Sequence, residues 1–440
     1  MGNTWSGGNK LTTVARDLFA TCLPSGGTVA VGLSGGMDSV SLLDAVLPLA
    51  SHWSITACHV NHGLSPNADS WERFCARLCR AHGIRFYTHH AALPAGAGEE
   101  WARQARMRAF AQLPVQAVVA AHHADDQAET VLFRALRGTG PHGMGAMRAC
   151  APLPGAAHML LLRPWLMLSR SEIAAYASHR RLRWIEDEDN RNISRRRNFL
   201  RRRALPILYE QFPDCGRTLA AAAARFAAGA ELLAVLAADD EKAASTVDGG
   251  FSIAHFHNIG AARTKNWLHS SLLKSGGRFS ERSIAEAVRQ IMANGGNHLS
   301  FRFRNITLRA WRGRIYWDRL PSVPKNFQVS VRAVDGRCDL PQIGGTLVMR
   351  QQRGGLSVAK AGDTFTAKLR RGGERLQLSP TRERPVSDLL REAGVMPWRR
   401  QRLPLLFAGD TLAALPGIAV SEMFRASPDE EGLDCRFEWR

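Results

Sequence analysis

Residues 29–39 read Val-Ala-Val-Gly-Leu-Ser-Gly-Gly-Met-Asp-Ser. A short β-rich run feeds a loop with paired glycines, and the loop opens a helix near Asp38. Backbone N–H groups at a helix N-terminus face an anion, and glycines let it approach closely. Ser34 and Ser39 add hydroxyl donors. The kinase-type phosphate loop needs a lysine that reaches the β and γ phosphates. Here Asp38 stands where that lysine would be useful. A carboxylate beside a polyphosphate makes sense if it holds Mg²⁺. The loop therefore points to ATP activated at its α-phosphate, with release of pyrophosphate.

A second constellation follows at 121–130, Ala-His-His-Ala-Asp-Asp-Gln-Ala-Glu-Thr. Acids at a helix start complement the dipole, which accounts for one aspartate and not for the cluster. His122, His123, Asp125, Asp126 and Glu129 offer metal ligands and a general acid or base. Arg103 and Arg106 lie three apart on one helical face and suit a phosphate or a base. Seven arginines fall between Arg191 and Arg203. Arginine matches phosphate bidentately, and so dense a run on a plain surface helix would repel itself, so RNA contact is expected there.

These groups need a frame. Apolar runs at 28–33, 54–60, 84–88, 115–121 and 159–162 read as buried strands. Amphipathic helices lie between them, one over about 69–82 with the stripe Trp71, Phe74, Cys75, Leu78, Cys79, another after Asp126. Such alternation predicts a parallel five-stranded sheet flanked by helices, an α/β fold with its ligand at the strands' carboxyl ends. The segments 34–39, 59–63 and 122–129 leave strand ends in the same sense and should converge. Residues 167–212 read as helical and highly charged, and helices are expected at about 217–244, 261–274 and 280–294. Strands are expected over 300–317. Leu320–Pro341 reads as a linker, and 344–440 as short strands with one helix near 386–393. The division this suggests is 1–212, a mainly helical 213–325, and a small β-rich 340–440.

With 58 Lys plus Arg against 39 Asp plus Glu, the formal net charge is +19, which suits a polyanionic partner. No uninterrupted apolar run reaches 18 residues, so no membrane span is expected. The polar, glycine-rich start carries no apolar signal core, which points to the cytoplasm. The eight cysteines are scattered without C-x-x-C spacing, so neither a zinc site nor a disulfide framework is expected.

Together these segments resemble the PP-loop ATP pyrophosphatases, whose fold is adenine nucleotide α-hydrolase-like, and among them the tRNA(Ile)-lysidine synthetase family. The resemblance also covers His59-Val-Asn-His-Gly-Leu64, Glu100-Trp-Ala-Arg-Gln-Ala-Arg106 and Leu136-Arg-Gly-Thr-Gly140. It continues through Arg163-Pro-Trp-Leu, Trp184-Ile-Glu-Asp and the stretch from Arg197 to Pro206. Near the end come Arg371-Gly-Gly-Glu374 and the stretch from Pro397 to Pro404. Ser65 and Met107 depart from the usual pattern, which bears on fine positioning.

The resemblance implies a ligase that forms a carbon–nitrogen bond. The C2 oxygen of the wobble cytidine in a CAU anticodon attacks the α-phosphate of ATP. Free L-lysine then displaces AMP at C2 through its ε-amine, giving lysidine in an isoleucine tRNA. By the same resemblance Ser34, Gly35, Gly36, Met37, Asp38, Ser39, His59 and Gly138 bind ATP. Asp38 and Asp126 are the candidates for Mg²⁺ and for orienting the lysine amine, with Glu129 a further acid for lysine. One of His122 and His123 stabilises the pentavalent phosphorus or moves a proton, with Arg103 and Arg106 beside them. Arg195, Arg196, Arg197, Asn198, Arg201 and Arg202 are assigned to tRNA, and a homodimer is left open. The competing readings are a PP-loop tRNA thiolase, a PP-loop amidotransferase, and a non-catalytic tRNA-binding protein that keeps an ATP-binding fold.

Overall fold

The computed structural model describes residues 6–63, 65–91, 99–186, 196–275, 279–293, 299–304 and 306–439. The chain forms two compact units, Met1–Val235 and Leu236–Arg440.

In the first unit α1 (Ser6–Cys22) precedes β1 (Thr28–Gly32), α2 (Met37–Val46), β2 (Ser54–Asn61), α3 (Ala68–Ala81) and β3 (Arg85–His90). Then come α4 (Glu99–Phe110), β4 (Ala117–Val119), α5 (Ala124–Ala135), a short α6 (Pro141–Met144), β5 (Cys150–Leu153) and β6 (Ala156–Leu162). The strands form one sheet in the order β3-β2-β1-β4-β6-β5. The five expected strands are present and pair in parallel, with Val29 opposite Ile55 on one side and Ala117 on the other. A sixth strand, β5, joins antiparallel at the edge. Val29, Ala30 and Val31 are buried on both faces, as a central parallel strand requires. Connections leave β1 towards β2 and β3 on one side and towards β4 and β6 on the other. The crevice between the ends of β1 and β4 is thus the switch point where ligands bind in open α/β sheets.

Helices seal both faces. Cys75 and Cys79 on α3 are fully buried in the main core, as the stripe predicted. The helix α1 was not expected. Leu11, Ala15 and Phe19 bury one face of it, and Trp165 donates from Nε1 to the carbonyl of Leu11 at 3.2 Å. Trp165, inside one of the motifs, is therefore a core residue.

Beyond β6, α7 (Arg170–His179) starts with a capping box in which Ser169 and Glu172 bond each other's backbone N–H. A helical segment then runs through α8 (Arg196–Phe199), one π-helical turn (Leu200–Ala204) and α9 (Leu205–Gln211). The helix α10 (Cys215–Ala244) follows. By averaged hydropathy α10 is long and apolar enough to cross a membrane, although no uninterrupted apolar run in it reaches 18 residues. Its hydropathy comes largely from alanine, and Glu231 on it pairs with Arg148 at 3.2 Å.

In the second unit β7 (Phe251–Ser252), α11 (Ile253–Lys274) and α12 (Glu281–Ala293) precede β8 (Ser300–Phe303), β9 (Ile306–Trp311) and β10 (Arg314–Asp318). Gly260, at φ +78°, kinks α11 where the predicted helix was to begin. The four strands pair in the order β7-β10-β9-β8, and β9 alternates buried and half-buried residues over one core. A separate core spans Val331 to Phe437. It lies among a five-stranded antiparallel sheet, a three-stranded sheet and the helix Val386–Glu392. The expected linker 320–341 holds two strands, Gln328–Arg332 and Arg337–Leu340. They are short and pair with strands 32 or more residues distant in one case, and across a tight loop in the other, so local pattern underrates them.

Candidate active site

The loop between β1 and α2 is held open by its own backbone. Gly35 adopts φ +88°, and a Cβ there would lie 2.9 Å from Ile185 Cδ1 and 3.3 Å from Cys75 Sγ. Glycine is required on both counts. The Ile185 N–H donates to the carbonyl of Gly35 at 2.9 Å, which brings the Trp184-Ile-Glu motif under the loop. Ser39 accepts from the Ser34 N–H at 3.2 Å, and the two hydroxyls meet at 3.0 Å. Gly36 is the N-cap of α2 and supplies no side-chain cap. The first-turn N–H groups of α2, at Met37, Asp38 and Ser39, therefore face outward as an anion site.

His59 closes the neighbouring strand end. Its Nδ1 donates to the carbonyl of Leu33 at 2.9 Å, and burial pushes its pKa down, so the ring is neutral. It props the start of the loop. Asn61, at the end of β2, donates to Asp69 at 2.9 Å and Glu72 at 3.0 Å and accepts from the Gly63 N–H.

The second motif opens α5 on the other side of the crevice. His123, 4% exposed, sits amid three carboxylates. Its Nδ1 lies 3.4 Å from Asp125, and its Nε2 lies 3.3 Å from Asp126 and 3.7 Å from Asp38. Burial alone would lower its pKa; Asp125, Asp38 and Asp126 outweigh that and hold it up at about 10. His123 is thus an imidazolium bridging the two motifs. Next to it His122 is pushed down to about 4 by burial, aided by the charges of Arg163 and Arg106. Its Nδ1 is buried without a hydrogen-bond partner. Two adjacent histidines so end with opposite protonation.

Asp126 accepts from the His123 N–H at 3.1 Å and from Arg201 Nη2 at 3.0 Å. Burial works against its ionisation, but His123, His122 and Arg201 hold its pKa down. Glu129, one turn on and 5% exposed, takes Arg201 bidentately, through Nε and, at 3.2 Å, through Nη2. Burial pushes Glu129 up, and Arg201 opposes the shift. Asp125 faces His123 and also reaches beyond the crevice. It accepts from the Arg170 N–H at 2.8 Å and from the Tyr209 hydroxyl, and so ties α5 to α7 and α9.

The expected residues do not all meet. Asp38, His122, His123, Asp126 and Glu129 converge, and Arg106 is close enough to depress His59, His62 and His122. Arg103 pairs bidentately with Glu100 on its own helix, at 3.0 and 2.8 Å, and its charge lies near Arg163. Gly138, at φ +68°, forms the turn after α5. Arg201, assigned to tRNA by resemblance, is spent on the acidic pair. Arg197 stacks over Phe133 at 5.9 Å, and Arg202 is exposed. Arg195 lies outside the described residues, and of Arg196 only the backbone is described.

Some residues near the site were quoted in motifs without a role. Both ring nitrogens of His62 are buried and unpartnered, and burial with Arg106 pushes it down to about 4. Arg163 donates to the carbonyl of Arg148 at 3.0 Å, while its Nε is buried without a partner. Buried polar atoms without partners at a strand end are the mark that sequence does not carry.

Mg²⁺ fits in one form only. Asp38 Oδ1, in the first turn of α2, is buried and unpartnered, which leaves it able to ligate a cation. Asp126, the other expected ligand, has one oxygen on Arg201 and the other on the His123 N–H. Among the described residues no group of three or more His, Cys, Asp or Glu is arranged to hold a metal. The pattern matches Mg²⁺ carried by one carboxylate together with substrate phosphates.

Comparison with known proteins places the chain in a family. Residues 10–208 match the model of the PP-loop domain, and residues 365–439 match the model of the TilS substrate C-terminal domain. The chain is 36% identical over 432 residues to a tRNA(Ile)-lysidine synthase of Azoarcus sp. (strain BH72), covering 95% of this chain and 93% of that one. It is 30% identical over 458 residues to the tRNA(Ile)-lysidine synthase of Coxiella burnetii, covering 100% and 99%. A solved U34-tRNA thiolase from Methanococcus maripaludis aligns over 51% of this chain and 80% of its own, at 14% identity and a TM-score of 0.43. With near full-length identity of this order, the chain belongs to the tRNA(Ile)-lysidine synthase family.

Proposed function

We propose that the chain ligates lysine to C2 of the wobble cytidine of an isoleucine tRNA with a CAU anticodon, using ATP. The observation that carries this reading is the crevice itself. An uncapped helix start faces an imidazolium, His123, which touches carboxylates from both motifs.

In the first step the cytidine O2 bonds to the α-phosphorus and the bond to pyrophosphate breaks. The N–H groups at the start of α2, with Ser34, Gly35, Gly36 and Ser39, hold the phosphates. Asp38 would carry Mg²⁺, which neutralises polyphosphate charge. His123 keeps its proton at working pH, so it stabilises charge at the phosphorus and is no base. In the second step the lysine nitrogen bonds to C2, and the C2–O bond to AMP breaks. Glu129 and Asp126 hold the lysine ammonium. His122 presents a neutral ring whose open nitrogen can accept a hydrogen bond from the amine; with a pKa of about 4 it is too weak a base to keep the proton that lysine sheds, which passes to solvent. Arg106 suits the activated base or its phosphate. Arg197, Asn198, Arg202 and their neighbours Arg195 and Arg196 supply contacts to the RNA. The setting is cytoplasmic, where ATP, free lysine and tRNA meet.

ATP–pyrophosphate exchange tests the order of events. Exchange should require the cognate tRNA and proceed without lysine. Exchange that needs lysine and ignores tRNA would mean that lysine, and not the base, is adenylated.

A further inference from the structure

The pocket assigned to lysine already contains a cation. Arg201 lays its guanidinium on Glu129 through Nε and Nη2 and on Asp126 through Nη2 at 3.0 Å. It comes from 72 residues further along the chain, off α5. We propose that Arg201 is a placeholder for the substrate ammonium: it occupies the Glu129–Asp126 pair in the free protein and is displaced when lysine enters. The inference rests on the assignment of those two carboxylates to lysine.

A buried carboxylate without a cation is costly, and Glu129 is 5% exposed. A cation seated there before substrate arrives offsets that cost, and Arg201 supplies it. The charges of Glu129 and Asp126 in turn keep Arg201 firmly protonated against its own burial. The guanidinium is nonetheless not locked in, since the Arg201 side chain is 45% exposed and has solvent to move into. Its backbone lies in the single π-helical turn Leu200–Ala204, a wide turn of the kind found at functional positions. The segment carrying it is anchored separately. The Tyr209 hydroxyl donates to Asp125 two helical turns further on, and a Cβ at Gly216 would lie 2.3 Å from that hydroxyl. The exchange can thus be a rotation of one side chain, with α9 staying in place. An ammonium and a guanidinium are alike in charge, so lysine trades places with Arg201 while the acidic pair stays neutralised. The trade favours a substrate that arrives as an ammonium, which then gives up a proton before its nitrogen attacks C2.

Reactivity of Arg201 towards phenylglyoxal, read by peptide mass mapping on the full-length protein, tests this with a definite sign. Saturating lysine should raise labelling of Arg201, since the displaced guanidinium meets solvent. A residue that merely contacts lysine would be protected. Arg201→Gln should lower the KM for lysine on pre-adenylated tRNA by roughly tenfold, the factor one charge-assisted contact is worth. Labelling that falls or stays level with lysine, or a raised KM in Arg201→Gln, would overturn the placeholder. Glu129→Gln separates the two levels. If it raises the KM for lysine while Arg201 labelling does not respond, only the placeholder fails. If it leaves the KM for lysine unchanged, the carboxylate pair is not the lysine pocket and both readings fall.

Discussion

Two neighbouring histidines show how contacts decide chemistry at the scale of one side chain. His123 touches Asp38, Asp125 and Asp126 and is charged; His122 is held neutral by burial, with Arg163 and Arg106 adding to the effect. The folded pKa of His123, about 10, lies above its ordinary 6.5. Its protonation therefore stabilises the fold fully below about pH 6.5, and that contribution is lost as pH rises through about 10. Urea unfolding of wild type and His123→Gln should differ most at pH 6 and converge above about pH 10. A difference that ignores pH would mean that the ring is neutral. Asp38→Ala should abolish adenylation while the protein still folds, because it removes one unpartnered oxygen and one that meets His123 only at 3.7 Å, leaving Asp125 and Asp126 on that ring. Removing one charge stabiliser of this kind typically costs ~10²–10³ in rate, and near-normal ATP–pyrophosphate exchange in that variant would remove Asp38 from the chemistry.

At the scale of elements, Asp125 holds three helices together. It begins α5, caps the first turn of α7 through the Arg170 N–H, and receives the Tyr209 hydroxyl from α9. Asp125→Ala leaves a helix start and a phenol without acceptors and should cost about 1–3 kcal/mol. Hydrogen exchange should speed up in the first turn of α7 and in α9, with β1 and β4 unchanged. Uniform acceleration across the sheet would show a global effect. The elements that position the site were legible because buried parallel strands are written as apolar runs, and Val29–Val31 or Ala117–Val119 can hardly be anything else. The edge strand β5 was not, since a four-residue half-buried piece carries no such run. The helix α1 is hidden in the sequence by its glycine-rich start, although Leu11, Ala15 and Phe19 keep helical spacing. What no local pattern could show is the return of Arg201 to Glu129 or of Tyr209 to Asp125. Those contacts cross 72 and 84 residues and depend on where α9 lands.

At the scale of the whole molecule the excess of positive charge is the leading fact, +19 over 440 residues. Not all of it is available to RNA. In the Pro397–Pro404 motif, Arg402 is 7% exposed and Arg399 stacks over Trp439 at 5.0 Å, so this stretch, basic in sequence, is partly core. Trp398 packs against Tyr316 and Arg309 and ties the two cores of the second unit. The run at 195–202 remains the stronger candidate. Replacing Arg195, Arg196 and Arg202 with alanine should weaken tRNA binding. It should also flatten the slope of log K against log salt by up to about 2–3 units. Weaker binding with an unchanged slope would mean that these arginines shape the fold. Deleting everything after Lys325 should leave ATP binding intact, because the PP-loop unit ends near Val235, and should weaken tRNA binding or its discrimination.

The central claim, lysine joined to one cytidine of an isoleucine tRNA, is tested most directly by the mass of the RNA. The full-length protein is incubated with that tRNA, ATP and isotopically labelled lysine, and nuclease fragments are weighed. Lysidine formation predicts one labelled lysine per tRNA, minus one water, confined to the anticodon fragment and absent without ATP. An unlabelled tRNA, a label on the 3′ end, or a mass gain matching sulfur would contradict it.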